Sequence, residues 1–157
     1  MAAGRPRTDP PRQWPVEYSL LARRAEVEVL PALRAHDMGC FPWSPLGRGV
    51  LTGKYRSGVP RGSRGATDHF SWFVDPYLGA KSNAIVDAVA RAADGLGLTP
   101  SQVALLWVRD APGVTAPLLG ARTPEQLASY LDLDDSRLPE PIVSALDDVS
   151  GGPNHGR

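Results

Sequence analysis

The run Phe41-Pro42-Trp43-Ser44-Pro45-Leu46-Gly47-Arg48-Gly49-Val50-Leu51-Thr52-Gly53-Lys54-Tyr55-Arg56 joins an apolar stretch to a glycine-rich, basic loop. It offers an indole face at Trp43, a hydroxyl at Ser44, small residues at Gly47 and Gly49, and cations at Arg48, Lys54 and Arg56. Such a set suits a flat ring joined to an anionic group. Glycines let the main chain approach a ligand closely, and lysine and arginine give charge-assisted hydrogen bonds to phosphate oxygens. A glycine-rich surface loop whose charges only face water would carry the same residues. A second candidate is Gly120-Ala121-Arg122, directly before Thr123-Pro124-Glu125-Gln126. There, N–H groups at a helix start, with Arg122 beside them, favour an anion.

Each of these residues also has a purely structural reading. Gln126 could do no more than complete a helix cap. Arg122, Lys54 and Arg64 could be solvated surface charges, and Trp43 could be a core aromatic at a strand end. Other chemistries find little support. His36, His69 and His155 show no ligand spacing and Cys40 is the only cysteine, so no metal site is expected. Ser19 and Ser44 lack a nucleophile-elbow context.

The elements that must position these groups follow from periodicity. Residues 1–12, with three prolines and no hydrophobic repeat, read as a disordered or loop remnant. Trp14, Val16 and Tyr18 alternate as in a short strand, with Pro15 placed where no ladder N–H is needed. Val27, Leu30 and Leu33 follow at helical spacing, with Pro31 as a kink or in a first turn. Residues 39–43 suit a buried strand, and 44–78 reads as one long loop, a length that is usually functional.

Between Ala80 and Leu96, Ile85, Val89 and Ala92 or Ala93 share one face of a helix closed by Gly95 and Gly97. Thr99-Pro100-Ser101-Gln102 is a capping box that opens a second, apolar helix. Val114 to Leu119 reads as a strand, and Thr123-Pro124-Glu125-Gln126 as another capping box. Ile142, Leu146 and Val149 mark a last helix before a polar tail from Gly151 to Arg157. Strands alternating with helices indicate an α/β fold of parallel βαβ units, in which ligands sit at the carboxyl ends of strands.

At 157 residues the chain is long enough for one domain with a core. Its formal net charge of zero gives no support for a nucleic-acid or membrane-surface role, which leaves a small molecule as the expected partner. One cysteine and no apolar signal core point to a reducing cytoplasm.

Read together, Glu17-Tyr18-Ser19-Leu20-Leu21, Trp43-Ser44-Pro45-Leu46-Gly47-Arg48-Gly49, Leu51-Thr52-Gly53-Lys54-Tyr55-Arg56, Ser63-Arg64 and Gly120-Ala121-Arg122-Thr123-Pro124-Glu125-Gln126-Leu127 resemble the C-terminal half of the aldo-keto reductases. The resemblance runs from about Pro11 to Gly151, with residues 13–150 as one domain portion. It implies an oxidoreductase fragment of a TIM barrel, about the last three strand-helix units of a (β/α)8 fold, with NADP(H) as cofactor. In that reading Trp43 stacks on the nicotinamide ring, and Ser44, Pro45, Leu46, Gly47 and Arg48 line the pyrophosphate. Lys54 and Arg64 belong to a loop folding over the cofactor. Gly120, Arg122 and Gln126 hold the adenosine end, with Arg122 nearest the 2′-phosphate.

Pro15 stands where the family usually has a glutamine for the nicotinamide carboxamide. Tyr130 stands where an asparagine for adenine is usual, and Ser129 where many members have glutamate. The aspartate, tyrosine, lysine and histidine that reduce carbonyls in this family have no matching positions here. The resemblance therefore implies a chain inactive alone. Other readings are a half-barrel completed by a separate chain, or a noncatalytic nucleotide-binding or assembly module that can self-associate. A full barrel takes about 250 residues, so three strands leave open edges.

Overall fold

Two parallel strands, β1 (Gln13–Glu17) and β2 (Gly39–Trp43), pair from Gln13 opposite Gly39 to Glu17 opposite Trp43. The computed structural model describes residues 13–67, 69, 71–133 and 135–151, with the side chain of Arg64 left out. The expected loop remnant at 1–12 and the tail beyond Gly151 lie outside the described residues. The Tyr18 N–H donates to the Trp43 carbonyl at 3.4 Å. By alternation, even-numbered residues of β1 bond to β2, and Pro15 faces the open edge, where no donor is missed.

The crossover between the strands holds a 3-10 turn (Arg24–Glu26) and α1 (Val29–Ala35). Pro31 lies in the first turn of α1, where its missing N–H costs nothing. Leu30 and Leu33 are buried as their spacing predicts, but Val27 is 66% exposed. It lies outside α1, at the end of the 3-10 turn, so it does not share the helical face expected for it.

The expected long loop at 44–78 is instead broken into short helical pieces: a 3-10 stretch (Gly47–Thr52), another (Arg64–Ala66), α2 (Ser71–Val74) and a 3-10 turn (Asp75–Tyr77). Pieces this short leave no sustained periodicity in the sequence. α3 (Ala80–Leu96) buries Ile85, Val86, Val89, Ala92 and Ala93. Gly95 lies inside it, and Gly97 alone ends it, in the left-handed conformation at φ +67°.

α4 (Pro100–Arg109) opens on the reciprocal Thr99–Gln102 capping box and buries every residue from Val103 to Val108. Such all-round burial needs cover on each side. Val103, Ala104, Trp107 and Val108 join the main core with α3 and Leu146, while Leu105 and Leu106 pack against Leu133. α5 (Pro124–Leu131) and α6 (Glu140–Ser150) complete the helices, so the described residues form an α/β fold with a small parallel sheet.

The expected strand at Val114–Leu119 is not a regular strand. Thr115 and Leu118 donate to the Cys40 and Pro42 carbonyls at 2.9 and 2.7 Å, so the segment does lie along the free side of β2. Pro42 and Pro117 have no N–H to give, and the Cys40 N–H goes to the Thr115 hydroxyl at 3.1 Å. The ladder is broken on both partners.

A polar network fastens the crossover to the helices. The Tyr18 hydroxyl donates to Glu26 at 2.7 Å, Arg23 forks onto the same carboxylate, and Arg23 also reaches Ser150 and Asp147. Trp107 Nε1 donates to Asp147 and its ring stacks near Tyr18 at 5.4 Å. Burial, reinforced by Glu26, pushes the Tyr18 hydroxyl pKa well above its ordinary value.

Candidate functional site

Four of the six residues from Ser44 to Gly49 have left-handed backbone: Ser44 (φ 54°), Gly47 (φ 55°), Arg48 (φ 58°) and Gly49 (φ 91°). For Ser44 and Arg48 this costs about 1–2 kcal/mol each, a strain of the kind that collects at binding loops. At Gly47 a Cβ would stand 2.7 Å from Leu21 Cδ1, so any larger residue there must also displace the Leu21 side chain. At Gly49 a Cβ would stand 3.2 Å from Lys54 Nζ, so the absent side chain leaves room for the ammonium over the loop. Thr52 fixes the turn by donating to the Gly49 carbonyl at 2.8 Å.

The cations of this loop divide. Arg56 leaves for Asp87 on α3, at 2.9 Å across an exposed surface. Arg48 turns to Glu17, bonding both carboxylate oxygens at 2.9 and 3.0 Å, and to the Phe73 carbonyl at 2.6 Å. Its guanidinium lies over the rings of Phe73 and Tyr77. The Tyr77 hydroxyl donates to the same Glu17, and burial together with that carboxylate pushes its pKa up to about 12. Lys54 makes no ion pair among the described residues; its ammonium sits 5.1 Å from the Tyr55 ring centre.

At the second loop, the Thr123 side chain caps α5 by accepting the Gln126 N–H. The reciprocal half of the expected capping box is absent. Gln126 Oε1 instead accepts the Arg122 N–H at 2.9 Å, one residue further out. Those two N–H groups are therefore already bonded, and what the helix start offers an anion is the Arg122 side chain, which makes no ion pair among the described residues. Glu125 shares this helix start, and its carboxyl is held below its ordinary pKa by backbone and Thr123 hydrogen bonds. Gly120 is exposed, with nothing within 4 Å of a Cβ placed on it, so the chain's own packing does not demand glycine there.

The two loops meet. One cleft of about 240 Å³ is lined by Ser44, Pro45, Leu46, Arg48 and Lys54 from the first and by Gly120, Arg122 and Gln126 from the second. Eight of the residues expected in a site are thus brought together. Trp43 is half-buried at the end of β2, beside Ser44, and Gly47 is buried beneath the loop; neither lines the cleft. The Arg64 backbone lies in a 3-10 turn, and its side chain falls outside the description.

Sequence reasoning missed Thr52, Leu118 and Leu119 as lining residues, whereas it names Gly49 in the glycine run and Tyr130 at the position for adenine. Tyr130 stands four residues after Gln126, a spacing that puts the two on one face of a helix. Glu17, Phe73 and Tyr77 were missed as anchors of Arg48, and no local pattern announces them.

A second cleft, about 270 Å³, lies between α1 and α4. Its charged groups are already engaged: Arg23 with Glu26 and Asp147, Arg34 with the Pro112 carbonyl, Asp110 with Arg109 and Arg137. Among the described residues no cluster of His, Cys, Asp or Glu is placed to hold a metal ion, and no helix is long and apolar enough to cross a membrane.

The family model for the aldo/keto reductase family matches residues 7–150. The chain belongs to the aldo/keto reductase family. Among its relatives, an uncharacterized oxidoreductase of Bacillus subtilis, YrpG, is 36% identical over 138 residues, 87% of this chain and 40% of that protein. A Schizosaccharomyces pombe protein, provisionally named a voltage-gated potassium channel subunit beta, is 34% identical over 140 residues, 85% of this chain and 40% of its own length. The chain therefore spans about two fifths of each of these two relatives.

Proposed function

We propose that the cleft between the glycine loop and the start of α5 binds NADP(H), and that this chain is the cofactor-binding portion of a carbonyl reductase built on a (β/α)8 barrel. One observation carries the reading. Two segments distant in sequence converge on one cleft that keeps two unpaired cations, Lys54 and Arg122, among the described residues. Gly120 leaves main chain open to close approach, which suits a ribose phosphate. Lys54 takes the diphosphate side, Arg122 the 2′-phosphate, and Tyr130 packs at the adenine end.

When bound, the cofactor supplies hydride to a carbonyl carbon, and the reaction also needs a proton at the carbonyl oxygen. The tyrosines of this chain are not placed to give it. Tyr18 and Tyr77 already donate to carboxylates, with pKa values pushed up, and Tyr55 is buried in the main core and does not line the cleft. Tyr130 lines the cleft with Gln126, at the end assigned to adenine. These residues by themselves hold and orient cofactor and do not reduce carbonyls.

A second reading concerns partners. The outer edge of β1 is unpaired among the described residues, and Trp14, Leu127 and Leu131 expose large apolar side chains. Further strand-helix units, in the same polypeptide or a separate one, would cover them.

Tryptophan emission during titration with NADPH tests the cofactor reading, with a panel of aldehydes added at saturation. The expected result is saturable quenching with no oxidation of NADPH. Turnover by the purified chain would overturn the assignment as a binding portion, and unchanged emission at millimolar NADPH would overturn the site.

A further inference from the structure

We propose that Arg48 is a positioning residue that sets the shape of the glycine loop through Glu17, and is not itself a ligand of the anion that the cleft takes. The part concerning the anion rests on the cofactor reading above. The guanidinium is already committed. Three of its N–H donors go to the two Glu17 oxygens and the Phe73 carbonyl, and the Phe73 and Tyr77 rings lie 4.0 and 4.9 Å from its carbon. Its side chain is 15% exposed and that of Glu17 23%. Turning Arg48 toward a phosphate would strand a half-buried carboxylate whose other bond is to the Tyr77 hydroxyl.

The backbone points the same way. Arg48 sits at φ 58° between two left-handed glycines, a conformation that an arginine keeps only when its surroundings hold it there. The anchor ties three elements at one point: the end of β1 through Glu17, the glycine loop through Arg48, and the Ser71–Tyr77 segment through Phe73 and Tyr77. Ser44, Pro45, Leu46 and Gly49 owe their places in the cleft to that loop, and Lys54 Nζ rests against Gly49. Lys54 and Arg122 are then the cations that meet the ligand's phosphates.

Glu17→Gln separates the two roles by sign. It removes the charge that holds Arg48. A phosphate ligand released from its internal partner would bind NADPH as well as before or better, whereas a positioning residue that loses its anchor would bind it worse. Arg48→Lys is the second variant, because lysine keeps the charge but not the fork or the stacking. The full chain is titrated calorimetrically with NADPH at several salt concentrations, and amide hydrogen exchange is followed without ligand. Both variants are expected to weaken NADPH by about tenfold, the scale of one lost charge-assisted pair. The dependence of affinity on salt should stay as in the wild type, since no phosphate contact is lost. Exchange in residues 44–54 and 71–77 should rise by about tenfold, while that of α3 stays unchanged.

Unchanged or tighter binding in Glu17→Gln, or unchanged exchange in those segments, overturns the proposal. If the wild type binds no NADPH, the cofactor reading falls, and the exchange measurement alone decides whether Arg48 positions the loop.

Discussion

At Arg122 the guanidinium lines the cleft with no ion pair among the described residues, while its own N–H is pinned by Gln126. A 2′-phosphate there would gain a charge-assisted bond of about 1.5–3 kcal/mol. Arg122→Ala is therefore expected to weaken NADPH by about tenfold to a hundredfold and to leave NADH nearly unchanged, as calorimetric titration of both nucleotides would show. Equal losses for the two would place Arg122 elsewhere on the ligand. Gly47 is constrained by the protein itself. A methyl group there meets Leu21 at 2.7 Å in a left-handed backbone, so Gly47→Ala should cost about 1–3 kcal/mol in urea unfolding. The residue types of this site were legible in the sequence. Their allegiances were not, because Arg48 and Arg56 find their carboxylates 31 residues away along the chain, at Glu17 and Asp87.

At the scale of elements, the two caps that look alike in sequence differ in the fold. Thr99 and Gln102 satisfy each other's backbone N–H groups at the head of a buried helix, whereas Gln126 leaves Thr123 for Arg122 at the head of an exposed one. Thr99→Ala is expected to lower stability by about 1–2 kcal/mol and Thr123→Ala by about half as much, measured by chemical denaturation. A larger loss at Thr123 would mean that α5 bears more of the fold than its exposed residues indicate. The caps, the apolar face of α3 and the alternation in β1 were readable because each is written in local spacing. The segment after Val114 was read as a strand because its side chains suit one. Pro42 and Pro117 remove the donors that a ladder would use, and that loss shows only when the two segments are set side by side. The stretch from 44 to 78 escaped for a related reason. Its helical pieces are held by contacts such as Arg48 with Phe73, not by a repeat of their own.

For the whole molecule, both walls of the cleft come from this chain, although it spans about two fifths of each of its two named relatives. On the proposed reading, holding a nucleotide is thereby separated from reducing a carbonyl. Further units would, on that same reading, add at the edge of β1 left unpaired among the described residues. Cofactor binding should persist in the isolated chain even where turnover does not. Calorimetric titration of the purified chain with NADPH, and with NADH under the same conditions, is the direct measurement. Saturable one-to-one binding with NADPH preferred is the predicted result. No heat of binding at millimolar NADPH, or equal affinity for the two nucleotides, would contradict it.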